Sequence, residues 1–258
     1  MRETFIIALN VFRQLLRNRI LVVLSLFGLC MIGVTAFLGD LGQDAELRLA
    51  RDFGLVALEA VGFFTVLLCH VVLLFEESEL KTYNILLVKP IERRHVLLGR
   101  VLGAILLMLM NEIGMLVLLK LLALWRGLDV VDPNLLVAAA YLAVGGALFS
   151  AVTAFFSVLA SSVPAAAMFA TFAFGLGHFT YNLLEWAHQL KQGGLILAVR
   201  ALYWITPNFS LFNLKESLNQ VSALGFDAGV YLLPLAYAAC YGGLLLFLAV
   251  WRYERKDF

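Results

Sequence analysis

Five polar side chains stand in or at the ends of apolar runs and are the candidates for chemistry: Glu59, Asn111, Glu112, His178 and Asn182. A carboxyl or imidazole at membrane depth is costly. It normally faces the interior of a helix bundle or a wet cavity, where it meets a substrate or hydrogen-bonds a neighbouring helix. Glu112 is the deepest of them within its run, while Glu59 lies nearer an end and closer to solvent. His178 and Asn182, with Tyr181, close a later run. The histidines, His70, His95, His178 and His188, are scattered without metal-ligand spacing. Cys30, Cys69 and Cys240 fall within apolar runs; three such residues make no disulfide framework and read as small packing groups.

A second group is polar and clustered. Glu76, Glu77 and Glu79 follow one apolar run directly; Thr82, Lys89, Pro90, Arg93 and Arg94 precede the next. The acidic residues suit the first turn of a new helix. Pro90 ends that helix, because proline cannot donate and restrains the residue before it. Arg93 and Arg94 then open the following run, with Arg100 reaching toward the interface. Gly99 and Gly103, four apart, offer a face that another helix can approach closely. The stretch reads as a charged elbow suited to docking a partner.

The elements that must position these groups are membrane helices. Of 258 residues, 62% are apolar and 14% charged. A spanning helix needs roughly 20 mostly apolar residues, and six runs qualify: 20–38, 53–75, 96–119, 135–160, 164–184 and 230–251. Strand-like alternation is absent, which argues against a β-barrel. The first run is longer than a signal-peptide core and no small-residue cleavage site follows, so it is expected to stay in the protein. Residues 2–19 place Phe5, Ala8, Leu9, Phe12, Leu15 and Leu16 on one helical face, as expected for a basic amphipathic helix lying in the interface plane. Within 185–229, residues 194–206 form an apolar piece too short to span, expected to be re-entrant or interfacial, and a second short amphipathic helix is expected over 209–221. Tyr203, Trp204, Phe209 and Phe212 suit a membrane interface.

The fold class is therefore an all-α polytopic membrane protein with six transmembrane helices, an N-terminal amphipathic helix and short extracytoplasmic helices before the last span. It forms one domain over 1–258. Twelve Lys and Arg residues lie on the side of the two termini and the 76–95 loop, against seven on the other side. The positive-inside rule then puts both termini in the cytoplasm. A net charge of +1 suggests no nucleic-acid partner. No G-x-x-x-x-G-K-[ST], H-E-x-x-H or G-x-S-x-G occurs, so neither a P-loop ATPase nor a zinc or serine hydrolase is expected in this chain.

The acidic cluster with Thr82, the apolar Leu86-Leu87, Pro90-x-x-Arg93 and Gly99-Arg100-x-x-Gly103 resemble the permeases of type 2 ABC exporters. More narrowly, they resemble the branch linked to multi-copper enzyme maturation. The family usually carries glycine where this chain has Lys81, which leaves the local helix more regular. The resemblance implies an inner-membrane half-transporter that is not itself an enzyme and binds no cofactor. Two copies, or one copy with a related partner, would form the translocation path. Two separate ABC ATPase subunits would use ATP and Mg and dock at a coupling helix over 76–95. Glu59, Asn111, Glu112, His178 and Asn182 would be candidates for the translocation path. Two alternatives stay open: an ion- or proton-coupled carrier, and a membrane assembly scaffold without transport.

Overall fold

The computed structural model describes residues 2–17, 28–30, 33–34, 46–80, 92–126, 133–180, 193–213 and 228–255. Its elements are α1 (Arg2–Leu16), α2 (Glu46–Leu80), α3 (Arg93–Arg126), α4 (Pro133–Leu159), α5 (Val163–His178), α6 (Gly193–Ile205), a 3₁₀ turn (Phe209–Phe212) and α7 (Ala228–Glu254). No strand occurs among the described residues. All-helical structure is what an apolar solvent demands, since a helix satisfies its own backbone.

Among the described residues, four segments are long and apolar enough to cross a membrane: Arg51–Phe75, Arg93–Leu121, Pro133–Leu159 and Tyr231–Glu254. They correspond to the expected second, third, fourth and sixth spans. The expected first span, 20–38, lies outside the described residues except for 28–30 and 33–34. In the expected fifth, α5 has 16 residues, or about 24 Å of helix against a hydrocarbon core of about 30 Å. Residues 181–184 of that expected span lie outside the described residues.

The most buried span is α4, which packs against α2, α3, α5, α7 and the 3₁₀ turn. Pro133 opens it, in keeping with proline's fit to a first helical turn. The tight link to α5 also follows the sequence: Ser162 is extended, with φ −143° and ψ 153°, and proline stands in the first turn. Phe149 is fully buried at the centre of α4.

The acidic cluster departs from expectation. Glu76, Glu77 and Glu79 do not begin a new helix; they ride on the last turns of α2, which runs 35 residues without a break. Neither proline nor glycine falls between Gly62 and Leu80 to interrupt the ladder. At about 52 Å the helix outruns the bilayer core. Thr82, Lys89 and Pro90 lie outside the described residues.

The N-terminal helix also departs. Its contacts with α3 advance in step: Thr4 Oγ1 bonds His95 Nδ1 at 2.8 Å, Ile7 sits on Gly99 and Val11 on Gly103. Leu15 joins Ala104 and Leu107 in one apolar cluster. Thus α1 runs along the first half of α3, in the same direction, instead of lying flat across its end. The cause is the expected pair of glycines. A Cβ at Gly99 would lie 2.6 Å from Ile7 Cγ2, and one at Gly103 would lie 2.6 Å from Val11 Cγ1 and 3.0 Å from the Ala8 carbonyl oxygen. The buried stripe is therefore Ala8, Val11 and Leu15, while Phe5 is left 63% exposed.

The segment after α6 is the third departure. Residues 194–206 are helical as expected, but Phe209 begins a single 3₁₀ turn that ends at Asn213 in non-helical backbone. Phe209 and Phe212 are 3% and 2% exposed, so they are core residues and not interface anchors. Glycines receive both. Phe212 fills the space beside Gly145 of α4, where a Cβ would sit 3.2 Å from its own Cβ. Phe209 and the Pro207 carbonyl press on Gly177 of α5. Tyrosines of α7 hold the turn. The Asn208 N–H donates to Tyr237 Oη at 2.9 Å, and Tyr241 Oη donates to the Ile205 carbonyl at 2.6 Å. Trp204, by contrast, is exposed.

Adding bulk at the α1 groove should separate the two helices. Gly103→Leu is expected to cost about 1–3 kcal/mol through overpacking, read as a lower unfolding temperature in detergent. Gly114→Ala on the same helix, with open space beside it, should not. Phe212→Ala should cost about 3–5 kcal/mol through the cavity it leaves.

Candidate functional site

Helices α2, α3, α4 and α5, together with the 3₁₀ turn, line a narrow cleft whose enclosed space is about 20 Å³, room for one or two water-sized groups; its open mouth brings the total to about 350 Å³. Three of the five expected site residues line it: Glu59 of α2, Glu112 of α3 and His178 of α5. The remaining wall is apolar, mostly phenylalanine. Asn182 lies outside the described residues.

Asn111 does not reach the cleft. Its Nδ2 donates to Thr65 Oγ1 at 2.9 Å, and that hydroxyl donates to the Val61 carbonyl at 2.7 Å. It ties α3 to α2 by a polar link, a common use of such residues between membrane helices.

Glu59 and His178 meet although 119 positions separate them. His178 ends α5, and its Nδ1 lies 3.0 Å from the Phe174 carbonyl oxygen, which can only accept. Nδ1 therefore carries a hydrogen. Nε2 lies 2.5 Å from Glu59 Oε1, so a proton must sit between them. Either an imidazolium faces a carboxylate or a neutral imidazole accepts from a carboxylic acid. In both forms the pair holds one proton between these two atoms and is neutral overall, which suits an apolar surrounding. The ring is held further by Phe174, with centroids 4.4 Å apart, and by Phe209, stacked at 5.8 Å.

Glu112 is placed differently. It is 6% exposed, lines the cleft, and makes no hydrogen bond or ion pair with any described residue. Room for its carboxyl comes from Gly62, one turn beyond Glu59, where a Cβ would lie 2.9 Å from Oε1. A neighbouring glycine, Gly146 of α4, makes room for Met108, one turn before Glu112 on α3.

At the start of α3, Arg94 Nε donates to the Glu92 carboxylate, and this guanidinium holds the Glu92 carboxyl below the usual range. His95 Nε2 lies 3.4 Å from Glu92 and 3.9 Å from Glu3. Arg94 is exposed, and Arg93, beside it, is half-buried. Arg100 does not simply reach for the interface: it is half-buried and hydrogen-bonds Tyr253 of α7. His70 is buried, with Nδ1 3.0 Å from the Val66 carbonyl oxygen, and does not reach the cleft. No group of three metal-ligating side chains occurs among the described residues. The cleft's phenylalanines were the part that sequence reasoning missed; Phe209 and Phe212 beside small residues of other helices carried no local signal.

Fold and cleft define a helical membrane protein with an internal, aromatic-walled site carrying two carboxyl groups and a histidine. No protein-family model matches the sequence, and no curated protein is significantly similar to it.

The Glu59–His178 contact should show strong coupling. Glu59→Ala and His178→Ala should each cost about 0.5–1.5 kcal/mol by removing this part-buried hydrogen bond, and the double variant should cost clearly less than their sum. Unfolding in mixed micelles measures all four states. Asn111→Ala should lower stability by about 1 kcal/mol and leave ligand binding in the cleft unchanged.

Proposed function

We propose that this chain is the membrane-spanning permease subunit of an ATP-binding-cassette exporter in the bacterial inner membrane, with both termini cytoplasmic. It pairs with a second permease, most simply its own copy, and takes its power from separate ATPase subunits. The observation that carries the reading is the seating of α1 on Gly99 and Gly103, which follow the charged 76–95 stretch in sequence. In this reading the motif has a mechanical use: it would join an N-terminal brace to α3. An acidic end on α2 and the basic Arg93-Arg94 at the start of α3 flank the segment a partner would press. The cleft, farther along α3, supplies a polar site where cargo could be held.

The Glu59–His178 proton-sharing pair supports a second reading, a proton-coupled carrier. Flux that persists without nucleotide and collapses with the proton gradient would favour it.

The tagged chain, purified from its native membranes in mild detergent, is expected to bring a P-loop ATPase with it. Reversing charge at Glu79 and Arg93 together should leave membrane insertion intact and lower transport-coupled ATP hydrolysis at least about tenfold, the loss expected when charged docking contacts are broken. A complex without an ATPase, together with undiminished transport by the double reversal, would refute the exporter reading.

A further inference from the structure

Glu112 sets a problem that the rest of the cleft answers only in part. Its side chain is buried and lines the cleft, and no described residue hydrogen-bonds or pairs with the carboxyl. Burying an unpaired carboxylate charge costs several kcal/mol. Relief comes from a proton or from a cation that enters the cleft. Among the described residues no lysine or arginine lines the cleft, so this part of the wall supplies no permanent cation.

The character of the wall selects the kind of cation. Phe63, Phe149 and Phe174 pack with ring centroids 4.3–5.0 Å apart, and Phe209 lies 5.2 Å from Phe174. Benzene rings attract cations through their negative faces, and attract poorly hydrated organic cations with little desolvation penalty. A hard metal ion instead needs about six oxygen ligands. His178 has both ring nitrogens engaged already, one on Phe174 and one on Glu59.

We propose that this cleft binds the head of an organic ammonium ion, with the Glu112 carboxylate as counter-ion and the phenylalanine rings as its wall. Proton and ammonium compete for the same carboxyl: when the cation enters a cleft whose Glu112 is protonated, the O–H bond breaks, one proton leaves to solvent, and the carboxylate left behind pairs with the ammonium. Among the described residues, the titratable groups on the cleft are Glu112 of α3, Glu59 of α2 and His178 of α5; α4 and the 3₁₀ turn contribute none. Because Glu59 and His178 hold a proton between them as a neutral pair, Glu112 is the group that responds. As a statement about cargo, the proposal rests on the transport reading above and names the class of molecule carried.

The test uses the full chain in detergent, without nucleotide or ATPase, and titration calorimetry with benzylammonium and with benzyl alcohol, a neutral molecule of similar size. Benzylammonium should bind at least about tenfold more tightly than the alcohol, as expected for a desolvated cation between a carboxylate and rings. Its affinity should rise with pH while the amine stays charged, and the heat should vary with the buffer's ionisation enthalpy as protons are released. Glu112→Gln should abolish the preference for the ammonium and the buffer dependence. Equal affinity for the two probes, or unchanged ammonium binding by a folded Glu112→Gln protein, would overturn the proposal. Should that variant fail to fold, the comparison of the two probes on the unaltered protein decides. An ATPase that co-purifies with a chain showing no ammonium preference would leave the exporter reading standing and remove only the cargo class.

Discussion

Close contact at glycine is the constraint on which this bundle depends. Between helices in a bilayer there is no gain from hiding apolar surface from water, because lipid is as apolar as leucine. What remains is dispersion, which requires atoms at van der Waals distance. The chain obtains that distance by removing side chains where helices meet. Gly99 and Gly103 admit α1 to α3, Gly146 admits Met108 of α3 to α4, and Gly145 and Gly177 admit the phenylalanines of the 3₁₀ turn.

The cleft is a consequence of the same device. Gly62 leaves space on α2 that the Glu112 carboxyl occupies, so a glycine that serves packing also gives a buried polar group room. The 3₁₀ turn closes the other side. Its chain arrives at the right depth because α6 ends at Ile205 and the Thr206-Pro207-Asn208 bend is pinned by Tyr237 and Tyr241 of α7. These tyrosines stand four apart on one face and stack at 5.4 Å, as the helical period requires. Pro234 sits one turn earlier in α7, where its ring disturbs the ladder. Tyr141 of α4 donates to the Tyr231 carbonyl in that disturbed turn at 2.7 Å.

Much of this is legible in the sequence, for identifiable reasons. Four spans follow from apolar length, the turn at Ser162 from its proline, and the docking of some helix on Gly99 and Gly103 from their spacing. The helix that docks there is harder to read. Phe5, Leu9 and Leu16 make the larger hydrophobic face, but a groove between glycines prefers the slim β-branched ridge of Ile7 and Val11. In lipid, size of an apolar face says little about which side is buried, since both solvents for it are apolar. The same ambiguity misplaces Phe209 and Phe212, whose aromatic character fits a membrane interface and a core equally. The uninterrupted run of α2 through Glu79 is missed because charge suggests a boundary, whereas backbone hydrogen bonding needs a breaker to make one. Glu59 and His178 are each visible as unusual groups, but their union joins positions 119 apart and needs the fold.

One helix carries both ends of the proposed machinery. The seat of α1 lies at Gly99 and Gly103, and Glu112 follows nine residues after Gly103, about 13 Å along a continuous α3. Described helix joins them without proline, so a force applied near Arg93 moves Glu112 as part of a rigid body and does not dissipate in a bend. What such a shift changes is set by the contacts α3 makes at cleft level. Two of these are Glu112 over Gly62 and Met108 over Gly146. Both set a flexible side chain against bare backbone, a surface without the interlocking ridges that resist sliding between larger residues. An axial displacement of α3 would carry the carboxyl off Gly62 and alter the mouth of the cleft, while Glu59 and His178, held on α2 and α5, stay together. On that geometry the proposed counter-ion would move relative to a fixed neutral pair. That is a direct way to make affinity differ between two states of the same site, which any ligand-driven or ATP-driven cycle requires.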